Sequence, residues 1–289
     1  MFRLTRAAFL GLFLLPAGLV PAMRVPGPVE AGSADQGRGP FLLDRQPRQG
    51  ALIRGIVPSG TVRLAMDGQE IPFSQDRRFI AGFGRDHGEV AQLTAVLADG
   101  HVVSETLEVA STRWLVETIS RVRRRTAPDA EFLARRATEL EQIERARVTV
   151  TDAVGWRQSF IWPVPGRITG HFGAQRIYGG EPAAPHGGVD LASATGTPVV
   201  APAEGVVVLA TDQPFTLEGK LVMIDHGMGL NSAFLHLSRI DVKAGDAVRQ
   251  GDRIGAVGKT GRATGPHLHW GMKWRNERID PAMLARPER

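Results

Sequence analysis

Two short segments in the second half of this 289-residue chain have the residue types and spacing to hold a metal ion and move protons. In Gly265-Pro266-His267-Leu268-His269-Trp270, two histidines stand two residues apart. Alternate side chains of an extended strand share a face, so His267 and His269 point the same way while Leu268 enters the opposite layer. Far upstream, His186-Gly187-Gly188-Val189-Asp190 adds one nitrogen and one oxygen donor. Two imidazoles with a hard carboxylate suit zinc. Three protein ligands with an open fourth position make a catalytic rather than a structural site. Such a set leaves one imidazole of the pair for proton transfer.

These segments belong to an ordered series: Trp162-Pro-Val-Pro-Gly166, Phe172-Gly-Ala-Gln-Arg176, His186-Gly-Gly-Val-Asp-Leu-Ala192, Gly196-Thr-Pro-Val-Val-Ala-Pro202, Phe234-Leu-His-Leu-Ser238, Gly251-Asp-Arg-Ile-Gly255, Gly261-Arg-Ala-Thr-Gly-Pro-His-Leu-His-Trp270 and Asp280-Pro281. Over about residues 160 to 282 the chain resembles the lysostaphin/LytM-type zinc metallopeptidases, which cut the peptide part of bacterial peptidoglycan. The resemblance implies that His186, Asp190 and His269 are ligands to one Zn2+ per chain, and that His236 and His267 are non-ligating catalytic histidines. It implies a zinc metalloendopeptidase acting on peptide crosslinks. A chain of this style is expected to meet crosslinks from D-alanine to diaminopimelate. The alternative function is a non-catalytic LytM-type regulator that binds and activates a cell-wall amidase; the intact site residues argue against it. Phe234 departs from the tyrosine that relatives often carry, which affects a minor polar contact. Zinc would lower the pKa of its water to about 7 and polarise the scissile carbonyl. His267, sharing a strand face with His269, is the better placed base, and His236 would complete the proton network or stabilise the oxyanion. Which histidine takes the proton stays open at this level.

The elements that must position these groups follow from the rest of the pattern. Residues 1–22 read as a secretory signal peptide: basic Met1-Phe-Arg-Leu-Thr-Arg6, an apolar run from Ala7 to Val20, and a small-residue site at Val20-Pro-Ala22. The run is shorter than the ~20 residues a membrane-spanning helix needs, although an uncleaved anchor is the rival reading. Export to the periplasm or beyond is therefore expected, with no integral membrane segment after cleavage. There is no cysteine, which excludes disulfide staples and cysteine-ligated zinc. The net charge of +5 is compatible with an anionic polymer nearby, but the basic residues are scattered and carry little weight. The partner that the resemblance implies is peptidoglycan, and no nucleic acid is expected.

Residues 23–40, rich in Pro, Gly and Ala, are expected to be a flexible lead-in. From 41 to 110, alternating runs at 51–57, 61–65, 79–83, 90–97 and 101–109 are broken by Pro58-Ser-Gly60, Asp67-Gly68, Gly84-Arg-Asp86 and Asp99-Gly100. This predicts a small β-sandwich, with a role in spacing the enzyme or docking an envelope protein partner. Its His87 and His101 read as solvated surface residues. A helical connector is expected over 111–154. Ser111 would cap a first helix carrying Trp114, Leu115, Ile119 and Val122, and Thr126-Ala-Pro-Asp129 would start a second carrying Phe132, Leu133, Ala137, Leu140 and Ile143. Between them, the arginines at 123–125 read as a solvated helix end. Residues 155–289 run strand to strand almost without helix and predict a mainly antiparallel β domain with a groove. The run 242–258 also resembles biotinyl and lipoyl carrier barrels, but the equivalent region holds no Met-Lys pair and leads instead into the histidine strand. His171 and His226 read as turn or hydrogen-bonding residues beside the site.

Overall fold

A computed structural model describes residues 39–119, 129–211 and 213–285. The expected leader, nearly all of the lead-in and the arginines at 123–125 lie outside the described residues. No helix among the described residues is long and apolar enough to cross a membrane. The chain is mainly β, as its glycine-punctuated runs of β-branched residues predict.

The N-terminal strands form two antiparallel sheets. One joins Leu42–Leu43, Leu52–Ile56 and Arg78–Gly82; the other runs Gln69–Glu70, Thr61–Met66, Val90–Leu97 and Val102–Glu108. Asp67 and Gly68 close the tightest hairpin with φ of 49° and 76°, as a two-residue turn of matching twist demands. Strand Val90–Leu97 turns Ala91, Leu93 and Ala95 inward, where they join Leu52, Ile53, Leu64, Phe79 and Ile80 in the core.

The C-terminal strands build one larger antiparallel sheet. Its order is Ala247–Val248, Gly205–Ala210, Lys220–Asp225, Leu230–Leu237, His267–Trp274, Gly188–Ala192 and Arg167–Gly170, with Glu277–Ile279 also on His267–Trp274. Leu268, Trp270, Met272 and Trp274 face the core, and Trp162 meets Trp270 edge to face at 5.9 Å. The N-terminal strands share this core. Polar ties reinforce the contact: Asp280 N donates to Gly50 O at 2.7 Å, Arg54 reaches the carbonyls of Trp156 and Gln158, and Arg157 forms a two-pronged pair with Asp76.

The connector departs from expectation. Residues 116–119 are a strand, not a helix, paired in parallel with Gln175–Tyr178. Trp114 packs edge to face on Phe172, and its indole N–H donates to the Arg85 carbonyl. Spacings of three and four residues suggested a helix, but Val116, Thr118 and Ile119 found a sheet edge, and pairing outweighs a weak local preference.

The one α-helix among the described residues runs Ala130–Val148, with the Asp129 side chain capping Phe132 N. It buries Glu139, Ile143 and Ala146, whereas Leu133 and Leu140 of the expected apolar face are exposed. The reason is a polar seam. Arg136 bonds both oxygens of Glu218, and Glu139 accepts from the Thr216 backbone and hydroxyl. Periodicity counts such a stripe as solvent-facing. Ile143 and Ala146 then pack on Leu221 and Met223, so the helix stands on the sheet face next to the strands that carry the site.

Candidate metal centre

The antiparallel register of Gly188–Ala192 on His267–Trp274 sets Asp190 directly opposite His269 and Ala192 opposite His267. Cross-strand partners share a face at close range, so the carboxylate and the imidazole meet without help from loops. His186, just before the first of these strands, swings in beside them. His269 Nδ1 lies 2.8 Å from Asp190 Oδ1 and 3.1 Å from His186 Nε2, and the last edge, His186 Nε2 to Asp190 Oδ1, is 3.2 Å. A zinc with bonds of about 2.0–2.1 Å in tetrahedral geometry separates its ligand atoms by roughly 3.3–3.4 Å. The 3.1 and 3.2 Å edges are within a few tenths of an ångström of that, and the 2.8 Å edge is about half an ångström shorter. This set is the group of His, Asp and Glu side chains among the described residues able to share an ion. The donors fit zinc.

Two more imidazoles adjoin the triangle. His267 Nε2 is 3.8 Å from Asp190 Oδ1, and the His236 and His267 rings are 4.8 Å apart. Strict alternation along Leu230–Leu237 would send His236 into the core with Phe234. A register shift in the pairing with Lys220–Asp225 and a φ of 64° at His236 turn its ring toward the other histidines instead. Phe234 itself is fully buried opposite Trp270.

Backbone carbonyls orient three of the four rings. His186 Nδ1 faces His171 O at 3.0 Å, His236 Nδ1 faces Thr260 O at 2.8 Å, and His267 Nδ1 faces Gly265 O at 2.8 Å. A carbonyl only accepts, so each Nδ1 carries the proton and each Nε2 keeps its lone pair for a metal or a proton. At His186 the neighbouring Asp190 carboxylate favours a proton on that Nε2 as long as no metal holds it. Burial opposes ionisation of Asp190, yet hydrogen bonds from His186 and His269 hold it well below the usual carboxylate range. Burial likewise opposes protonation of His186, but bonding and attraction to Asp190 outweigh it and raise its pKa. Burial pushes His269 down, and His236 down to about 4.

Two glycines make the room. A side chain at Gly170, across the sheet from Asp190, would strike the carboxylate, and one at Gly188 would come within 2.9 Å of His269 Nε2. The glycines that follow His186 include one of these two, Gly188. The carbonyl partners had no signal in the sequence, because any residue supplies a carbonyl. Of the remaining histidines, His171 contributes only that carbonyl. His226 lies in the core and not beside the site: its Nδ1–H donates to Glu204 O, and its Nε2 accepts from Ser232. His101 is exposed, but His87 packs edge to face on Phe83 and is mostly covered, so it is not the solvated residue expected.

Residues 184–281, which hold the whole triangle, match the model described as Peptidase family M23. The chain is 45% identical over 105 residues to peptidoglycan DD-endopeptidase ShyA of Vibrio cholerae serotype O1, a stretch covering 36% of this chain and 24% of that protein. It is 32% identical over 165 residues to peptidoglycan DD-endopeptidase ShyB of the same organism, covering 55% of this chain and 34% of that protein. The chain thus spans between a quarter and a third of the length of these curated relatives. A crystal structure from Pseudomonas aeruginosa, described as a peptidase M23, is 30% identical with a TM-score of 0.64, covering 83% of this chain and 95% of that one. A likeness that extends over nearly all of a solved relative, together with the matched segment around the site, means that the chain belongs to peptidase family M23.

Proposed function

We propose that this chain is a zinc-dependent endopeptidase of the cell envelope, periplasmic or secreted, that hydrolyses peptide crosslinks of bacterial peptidoglycan. The observation that carries the reading is the triangle of His186 Nε2, Asp190 Oδ1 and His269 Nδ1, with two further imidazoles beside it whose Nε2 atoms are free. The relatives named as peptidoglycan DD-endopeptidases support the substrate class, with the crosslink from D-alanine to diaminopimelate as the bond cut.

In this reading His186, Asp190 and His269 hold the ion. When bound, zinc supplies a water acidified to a pKa of about 7 and a Lewis acid for the scissile carbonyl. His267, with its Nδ1–H committed to Gly265 O, accepts a proton at Nε2 and returns it to the leaving amine. His236 presents the same free nitrogen one ring away, so the two can hold one proton between them. Carbonyl bonds that lock the rings spare the site reorganisation during the reaction.

Digestion of purified sacculi with the zinc-loaded chain, followed by mass spectrometry of the released muropeptides, tests the reading. Crosslinked dimers should separate into monomers. A chain that holds zinc yet separates none would favour the amidase-activating regulator, and release of glycan-free peptides would replace the endopeptidase with an amidase.

A further inference from the structure

The strand that carries His267 and His269 continues with Gly271 and Lys273 on the same face. Lys273 is the cross-strand partner of Arg278, so two cations stand directly opposite each other. That arrangement is destabilising unless something neutralises it. A third cation, Arg147, comes from the end of the helix. Its Nη1 donates to Glu144, but its Nε is buried with no partner. All three line one cleft, and His269, Gly187 and Gly271 line it with them. Arg278 reaches the ligand segment itself: a side chain at Gly187 would run into its Nη1. The carboxylates that act on these cations are Glu144 and Glu277, and neither forms an ion pair with Lys273 or Arg278; Glu218 also lines the cleft but is paired with Arg136. Burial, and then the charge of Arg147, lower the Lys273 ammonium pKa, as expected of a cation lacking a counterion.

We propose that Lys273, Arg278 and Arg147 form a carboxylate-reading subsite next to the metal triangle, which binds the carboxylate on the carbon that bears the scissile nitrogen. The inference rests on the crosslink reading above. In a crosslink to the side-chain amine of diaminopimelate, that carbon carries a carboxylate; in a crosslink to lysine it carries none. A group so near the scissile bond must lie close to the ion, and His269, a corner of the triangle, lines the same cleft as the three cations. Guanidinium and ammonium donors bind a carboxylate through charge-assisted hydrogen bonds, and a bidentate arginine adds geometric selectivity.

The test compares two soluble crosslinked peptides that differ only in that group, free carboxylate against carboxamide. It uses the full chain, zinc-loaded for cleavage, and calorimetry with the corresponding acceptor half-peptides for binding. The free carboxylate should be preferred about 10- to 100-fold in both kcat/KM and affinity, as hydrogen bonds to a charged group allow. Lys273→Gln and Arg278→Gln should shrink that ratio toward one, whereas Arg278→Lys, which keeps the charge, should retain part of it. Equal cleavage of both peptides by the unaltered chain, or a preference that survives both glutamine variants, overturns the subsite. Carboxylate-dependent binding without cleavage of either peptide would sink the endopeptidase reading and leave the subsite standing; neither binding nor cleavage overturns both.

Discussion

The N-terminal sheets and the C-terminal sheet are built from the same kind of strand, with one face buried in a shared core, yet their second faces have different fates. On Val102–Glu108 the outer side chains are wet, and Val102 is 63% exposed. On His267–Trp274 the outer face carries His267 and His269, whose side chains are 17% and 15% exposed under the neighbouring loops and strands. An antiparallel sheet needs one face for stability. The other is free to be solvated or to be lined with chemistry, and shelter for that face makes its groups electrostatically potent. The helix Ala130–Val148 matters for this reason: it encloses one side of the C-terminal face, and Arg147 at its end lines the cleft that reaches His269.

The sharpest way to break this comparison is to change the two outward histidines separately. His269→Ala removes a proposed ligand, so bound zinc and turnover should both fall to background. His267→Ala touches no proposed ligand. It should keep about one zinc per chain while the rate falls roughly 10²–10⁴-fold, the contribution of general acid–base catalysis. Elemental analysis alongside muropeptide release reads both effects, and a His267→Ala protein without zinc would reverse the roles.

The inward face makes a smaller prediction, in stability. His226 is fully buried, and burial lowers its pKa from 6.5 to about 4. Above pH 6.5 the ring is neutral in both folded and unfolded chains and contributes no pH dependence. As pH falls from 6.5 to 4, the unfolded chain binds a proton that the folded one refuses, so stability drops by about 3 kcal/mol over that window. Denaturant unfolding of the metal-free protein between pH 7 and 4 should show this slope, and His226→Gln should flatten it. If the two slopes are identical, the ring does not stay neutral in the fold.

The least effect belongs to the outer face of the N-terminal sheet. Val102→Thr should change stability by no more than about 0.5 kcal/mol, read as Tm, and leave crosslink cleavage as it was. A large loss of cleavage there would mean that this face also carries function.

Much was determined by the sequence alone. Glycine-bounded β-branched runs placed the strands from 52 to 108, apart from the two-residue Gln69–Glu70, to within about two residues, because the alternation of buried and exposed positions is written locally. The types and spacing of His186, Asp190, His267 and His269 named the candidate site, since few residues bind zinc and few spacings align them on one face, while His236 was reached only through the family resemblance. Tertiary structure decided the rest. Only the register of two strands 77 positions apart, measured from Asp190 to His267, brought carboxylate and imidazoles together. A register shift and a positive φ turned His236 out of the core, carbonyls of His171, Thr260 and Gly265 chose the tautomers, and an unforeseen sheet edge made residues 116–119 a strand. The physical reason is common to all of these. Pairing, close approach and carbonyl bonding are made by the backbone of distant segments, and the backbone is the same at every residue, so a side-chain pattern cannot announce them.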